Sequence, residues 1–183
     1  MIAISIIVVF IILIVIWFIA SYNGLVNGRM KVENSWGQIN VQLKMRADLV
    51  PNLVQTVSGY ARHEKETLIG VMEARNKYMA ASTPQDAMKS SGEIAGFMGR
   101  IFAVAEQYPQ LKADQNFLNL QYQMSELEKK ISMYRQFYND TVMMFNRLVI
   151  TFPNNIPAGI FGFHELPYFQ VDDSERAAPQ VRF

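Results

Sequence analysis

The chain opens with MIAISIIVVFIILIVIWFIA, an apolar run from Met1 to Ala20 that contains no charged residue. About 20 helical residues, rising 1.5 Å each, cover the roughly 30 Å hydrocarbon thickness of a bilayer. The run therefore reads as a transmembrane helix. The rival reading is a cleaved signal peptide, but no Lys or Arg precedes the run and it exceeds the usual length of such a segment. A cleavage before Ser21 would also place Phe18 where a small side chain is required. Trp17 and Tyr22 sit at the far end, where amphipathic aromatic rings favour the membrane–water interface. Arg29, Lys31, Lys44 and Arg46 follow, so the positive-inside rule leans towards a cytoplasmic soluble part.

Beyond the anchor the chain has room for one domain. Its 183 residues carry a net charge of +1 and no cysteine, which removes disulfide and thiolate chemistry. Acidic and basic residues are mixed along the chain, so no basic face is offered and a nucleic-acid partner is not expected. The lack of cysteine leaves the compartment open.

After the span, Leu25, Val32, Trp36, Ile39, Leu43, Val50, Leu53, Val57 and Tyr60 recur at steps of mostly three and four, with Arg29 and Arg46 filling the missing beats. Such a stripe predicts one long helix packed along its length. From Asn23 to Ala61 it would measure about 57 Å. A second stripe runs through Phe117, Leu120, Met124, Leu127, Ile131, Tyr134, Tyr138, Phe145 and Leu148, with Thr141 on the same seam. Two long helices of matched length bury their stripes most simply against each other. Between them, periodicity predicts two shorter helices, over 65–81 and 85–107. The turn STPQD separates these, with Ser82 or Thr83 available as a cap and Pro84 suited to a first helical position. Gly92, Gly96 and Gly99 recur in the second short helix, and both close backbone packing and local mobility remain open as reasons. The fold class expected is all-α: a transmembrane anchor over 1–21, an elongated antiparallel bundle over 22–151, and an irregular aromatic C-terminal strap over 152–183.

Pro51 falls inside the first stripe without disturbing its phase. A helical proline removes one hydrogen bond and crowds the carbonyl four residues back, here Ala47. The expectation is a kink or a brief break over 47–50, with Asp48 near enough to cap exposed amides.

Catalytic patterns are sparse. His63 and His164 are the only histidines, and HExxH fails because Thr67 stands where the second histidine belongs. No GxSxG, no GxxxxGK[ST] and no GxGxxG occurs. Neither a metal nor any other cofactor is expected. Polar residues near the seams carry more information: Arg29, Arg46, Arg75, Arg135, Asn139 and Asn146 would each need a partner if buried. Glu33, Glu73, Glu106 and Glu128 are available for pairing across helices, which would fix register. A polar groove for a peptide or a lipid headgroup is the functional alternative.

Four stretches together resemble the LemA family of bacterial membrane proteins: the run from Tyr22 to Glu64, VMEARNKY, the run from Ala105 to Asn146, and FPNNIPAGIFGFHELPYF. The resemblance extends from Tyr22 to about Phe169. It implies an N-terminal anchor followed by an antiparallel helical bundle, and it implies no catalytic residue. Some members resemble lipoproteins with a cysteine before the Tyr-Asn pair; here no cysteine precedes Tyr22 and Asn23.

The function expected is non-enzymatic: a single-pass protein of the inner cell membrane serving as an oligomeric scaffold or adaptor. The expected partners are the lipid bilayer, further copies of the chain and an envelope protein. An oligomeric coat that remodels the membrane or organises lipid is the alternative, and a cryptic hydrolase using His63 or His164 comes third. Candidate interaction or register positions are Asn23, Trp36, Arg46, Pro51, Asn52, His63 and Arg75 in the first half. Arg135, Tyr138, Asn139, Phe161, Phe163, Tyr168 and Phe169 are those of the second.

Overall fold

A computed structural model describes residues 1–61 and 63–170. They form six helices and no strand: α1 (Ile2–Ser58), α2 (Lys65–Ala80), α3 (Pro84–Ala105), α4 (Pro109–Lys112), α5 (Gln115–Ile150) and α6 (Asn155–Ile160). The anchor and the first long helix are one element, since α1 runs without interruption from the apolar span into the first stripe. Along that span the apolar side chains stand exposed, as expected of a helix whose solvent is lipid. Two single-turn helices, α4 and α6, add to the two long and two short helices expected.

The residues divide into two compact units. The first joins Met1–Gly37 to Gln136–Tyr168. Its core holds Leu25 and Val32 of α1 with Tyr138, Val142, Phe145 and Val149 of α5. Trp36 meets Tyr138 edge-on at 5.9 Å, and Gly28 faces Phe145, so the two segments run antiparallel. Gly28 fills the beat that the sequence pattern gave to Arg29. A Cβ there would lie 3.1 Å from the Phe145 ring, while Arg29 turns outward to pair with Glu33 at 3.2 Å. On α5 the buried positions become Val142 and Val149, displacing Thr141 and Leu148 to half-exposed places.

The second unit joins Gln38–Arg135 to Phe169. Ile39, Leu43, Val50, Leu53 and Val57 of α1 are at most 1% exposed and meet a core that includes Val71, Ile94, Ile101, Phe117 and Met124. Tyr60 lies beyond the end of α1 and is exposed, outside that core. The α2–α3 hairpin closes over the seam. Its turn is set as the sequence suggests: Thr83 is the N-cap, its Oγ1 accepting the Asp86 N–H at 3.1 Å, and Pro84 is the first helical residue. Gly70 allows the hairpin to close, because a Cβ there would come within 2.4 Å of the Phe97 ring. Gly96 and Gly99 face open space, so close packing is not their role.

Helix α1 passes through Pro51 unbroken. Each buried aliphatic side chain around it is worth about 1.5–3 kcal/mol, so two or three outweigh the roughly 3 kcal/mol that a helical proline costs. The carbonyl of Ala47 has no N–H at position 51 to receive. Arg75 of α2 supplies the replacement, its Nε donating to Ala47 O at 3.1 Å. Asp48 takes no part; Lys44 Nζ donates to it at 3.0 Å.

Candidate functional site

In the second unit one polar residue is sealed into the seam. Arg46 is 2% exposed, and one turn of α1 places it inward because its beat in the stripe is a core position. Its Nη1 donates to Glu128 of α5, and its Nη2 donates to both Oγ and backbone O of Ser91 on α3, the latter at 2.6 Å. One guanidinium thus ties three helices, which suits its rigid fork of donors. Its Nε and Gln42 Oε1, one turn apart, are buried without a hydrogen-bond partner among the described residues.

The neighbouring polar contacts work the same way. Tyr78 of α2 donates to Asn40 Oδ1 of α1 at 2.8 Å. Burial pushes the Tyr78 phenol up, partly offset by the positive charge of Arg46. Lys77 of α2 donates to Glu93 of α3 at 2.8 Å, and that bond raises the ammonium above its ordinary value. Arg135 lies over the Phe169 ring, 5.9 Å from its centre.

In the first unit the strap, as far as Tyr168, folds back onto its own helices; its part over 171–183 lies outside the described residues. Asn146 of α5 reads the backbone of Leu166 in both directions: Nδ2 donates to its carbonyl at 2.9 Å, and Oδ1 accepts its N–H at 2.8 Å. Tyr138 donates to Pro167 O at 3.2 Å, and burial raises its phenol. The turn after α6 needs Gly162, whose φ of +70° lies where side chains are strained. It closes with the Phe163 N–H donating to Ala158 O at 2.9 Å, a helix-ending bond of the Schellman type. Phe163 is thereby brought to 6.4 Å from Phe145 and 6.1 Å from Tyr22, and Phe161 to 4.6 Å from Tyr22.

The sequence-selected residues therefore gather in part. Tyr22, Phe161 and Phe163 form one aromatic group, with Trp17 beside Phe18 at 6.2 Å, while Trp36 and Tyr138 form another pair. Arg46, Pro51 and Arg75 belong to the helix ties of the second unit. Asn23, Asn52, His63 and Tyr168 are exposed, and Asn139 is half-buried. Local pattern gave no signal for Ser91, or for Asn154, whose Oδ1 accepts the Ser21 hydroxyl at 2.7 Å. Among the described residues no three His, Asp or Glu side chains converge as metal ligands.

These ties hold helices together. The sequence profile of the LemA family matches residues 35–183. Protein LemA of Metamycoplasma hominis is 25% identical, across 87% of this chain and 73% of its own length. Magnetosome protein MamQ 2 of Paramagnetospirillum magneticum is also 25% identical, across 91% of this chain and 74% of its own length. Magnetosome protein MamQ of Magnetospirillum gryphiswaldense is 22% identical, across 87% and 70%. With a match over most of its length, a first helix long and apolar enough to cross a membrane and further helices behind it, the chain belongs to the LemA family.

Proposed function

We propose that the protein is a non-enzymatic scaffold of the bacterial inner membrane that self-associates and holds an envelope partner, with its soluble part on the cytoplasmic side. The observation that carries this reading is where apolar side chains remain uncovered in the second unit. Val41 and Met45, one turn apart on α1, are 55% and 51% exposed, and Leu118 and Tyr122, one turn apart on α5, are 40% and 68% exposed. Single exposed apolar residues are ordinary, but paired ones on one helical face form a surface that association can cover. Confinement to a membrane raises the local concentration, so weak faces suffice. The polar residues support the same reading, because the buried arginine is engaged in helix ties. Relatives whose names place them in a cell structure, and name no reaction, support an architectural role.

Crosslinking of the full-length protein in cells, followed by mass spectrometry, tests the reading. Crosslinked copies or a recurrent partner are expected, and the double variant Val41→Asp, Met45→Asp or the single variant Tyr122→Asp should reduce them while leaving helicity intact. A strictly monomeric protein in lipid, with no crosslinked partner in cells, would overturn it. Large ordered particles retaining lipid would favour the coat in place of a discrete scaffold.

A further inference from the structure

The strap of the first unit carries a second apolar surface, at the place where α1 leaves its apolar span. No charged residue lies between Arg147 and His164. Within this stretch α6 is two-sided: Pro157 and Ala158 are buried, while Ile156 and Ile160, four residues apart, are 47% and 65% exposed. Phe152 before it and Phe161 after it are 74% and 49% exposed. Such side chains are unfavourable in water and favourable in the interfacial layer of a bilayer.

The depth of this surface is fixed by its attachments. Asn154 accepts a hydrogen bond from Ser21, immediately after the apolar run ends. Phe161 packs on Tyr22 and, 5.8 Å away, on Phe18, whose position is inside the run. The strap is therefore held level with the interfacial aromatic residues of the anchor. The geometry points to α6 and its flanking phenylalanines as a second membrane contact, a wedge lying in the interfacial layer beside the transmembrane helix. The occupant of the exposed face is lipid, because Phe161, half-exposed at its end, packs on Phe18 of the apolar span itself. The wedge would fix the rotation and tilt of the segment leaving the bilayer, which a single helix leaves free. The inference rests on the membrane-anchor reading of α1.

The chain lacks cysteine, so single cysteines report cleanly. Full-length Phe152→Cys, Ile156→Cys and Ile160→Cys proteins would be labelled with a small environment-sensitive fluorophore and reconstituted into phosphatidylcholine and phosphatidylglycerol vesicles. Lipids carrying a nitroxide near the headgroup would serve as quencher for the wedge positions, and lipids carrying one midway along the acyl chain would serve for Leu13, with Gln123 read against both. Leu13→Cys marks the anchor and Gln123→Cys, exposed on α5, marks solvent. Quenching severalfold above that at Gln123 is expected at all three wedge positions, with helicity unchanged. If Leu13 is quenched and the wedge positions match Gln123, the wedge is overturned and the anchor stands. If Leu13 also matches Gln123, the anchor reading fails and the wedge fails with it. Quenching only by a nitroxide on a second copy of the protein would place that copy on α6 and overturn the lipid assignment.

Discussion

The two units join α1 to α5 by different chemistry. In the unit of Met1–Gly37 and Gln136–Tyr168, neutral groups make the long-range ties: ring contacts, an amide reading a backbone, and a serine on an asparagine. In the unit of Gln38–Arg135 a buried cation holds three helices, and the hairpin of α2 and α3 completes the seam. Neutral ties break at modest cost and tolerate changes of pH. A buried charge cannot lose its partner without leaving an unpaired ion in a poorly solvating interior. The second unit therefore has a specific weak point that the first lacks.

Removing the carboxylate is the strongest test of that contrast. Glu128→Ala leaves Arg46 with Ser91 alone and should lower stability by about 3 kcal/mol, read from unfolding in detergent micelles. The double variant Arg46→Met, Glu128→Leu should recover most of it, since an apolar residue at position 46 avoids the desolvation of the buried guanidinium. A smaller effect is expected in the first unit. Asn146→Leu frees the Leu166 N–H and carbonyl at a cost of about 1–3 kcal/mol, and proteolysis should then cut near Leu166 while α2 and α3 stay protected. If Asn146→Leu proves the more damaging of the two, the contrast between the units is wrong.

Pro51 and Arg75 offer a finer test within the second unit. Arg75→Ala should cost about 1 kcal/mol by orphaning the Ala47 carbonyl. In a Pro51→Ala background residue 51 regains an N–H for that carbonyl, so the same substitution should cost measurably less. A double-mutant cycle in thermal unfolding gives the coupling directly. Additive effects would show that Arg75 acts elsewhere.

How far these features could be read from the chain depends on how local their causes are. The anchor, both stripes and the Thr83-Pro84 start of α3 follow from spacing over a few turns, and the sequence predicts them. Arg46 is legible as a polar residue on a core beat, and Glu128 as an available partner. Ser91 is not legible, because its role arises only when α3 packs on α1. Counting by steps puts Arg29 on a core beat because it cannot distinguish it from Gly28, whose absent side chain makes room for Phe145. The shift from Thr141 and Leu148 to Val142 and Val149 is a drift of phase. A helix of 3.6 residues per turn slips by about 20° per heptad against a strict seven-residue repeat. The strap has no period to read, and its destination is set by hydrogen bonds from Asn146 and Tyr138 that no local pattern announces.

The smallest expected effect separates the units by pH. Asp114 caps α5, its Oδ1 accepting the N–H groups of Asn116 and Phe117 at 2.9 Å, while Tyr60 donates to Oδ2 at 2.9 Å. The Phe117 amide first, and the Tyr60 hydroxyl next, hold the carboxyl below its ordinary range. A depressed carboxylate contributes stability that is complete above its unfolded value and disappears as pH falls through its folded value. Acid should therefore loosen the start of α5 and the Tyr60 contact. The ties of Asn146 and Ser21 to the strap contain no group that titrates there and should persist. Hydrogen exchange of the Phe117 and Leu166 amides, corrected for the intrinsic pH dependence, reads both sites in one sample. Asp114→Asn keeps a capping oxygen without the charge and should abolish the acid-dependent part of the Phe117 response. Parallel loss of protection at Leu166 in the parent protein would mean that the two units do not open independently in acid.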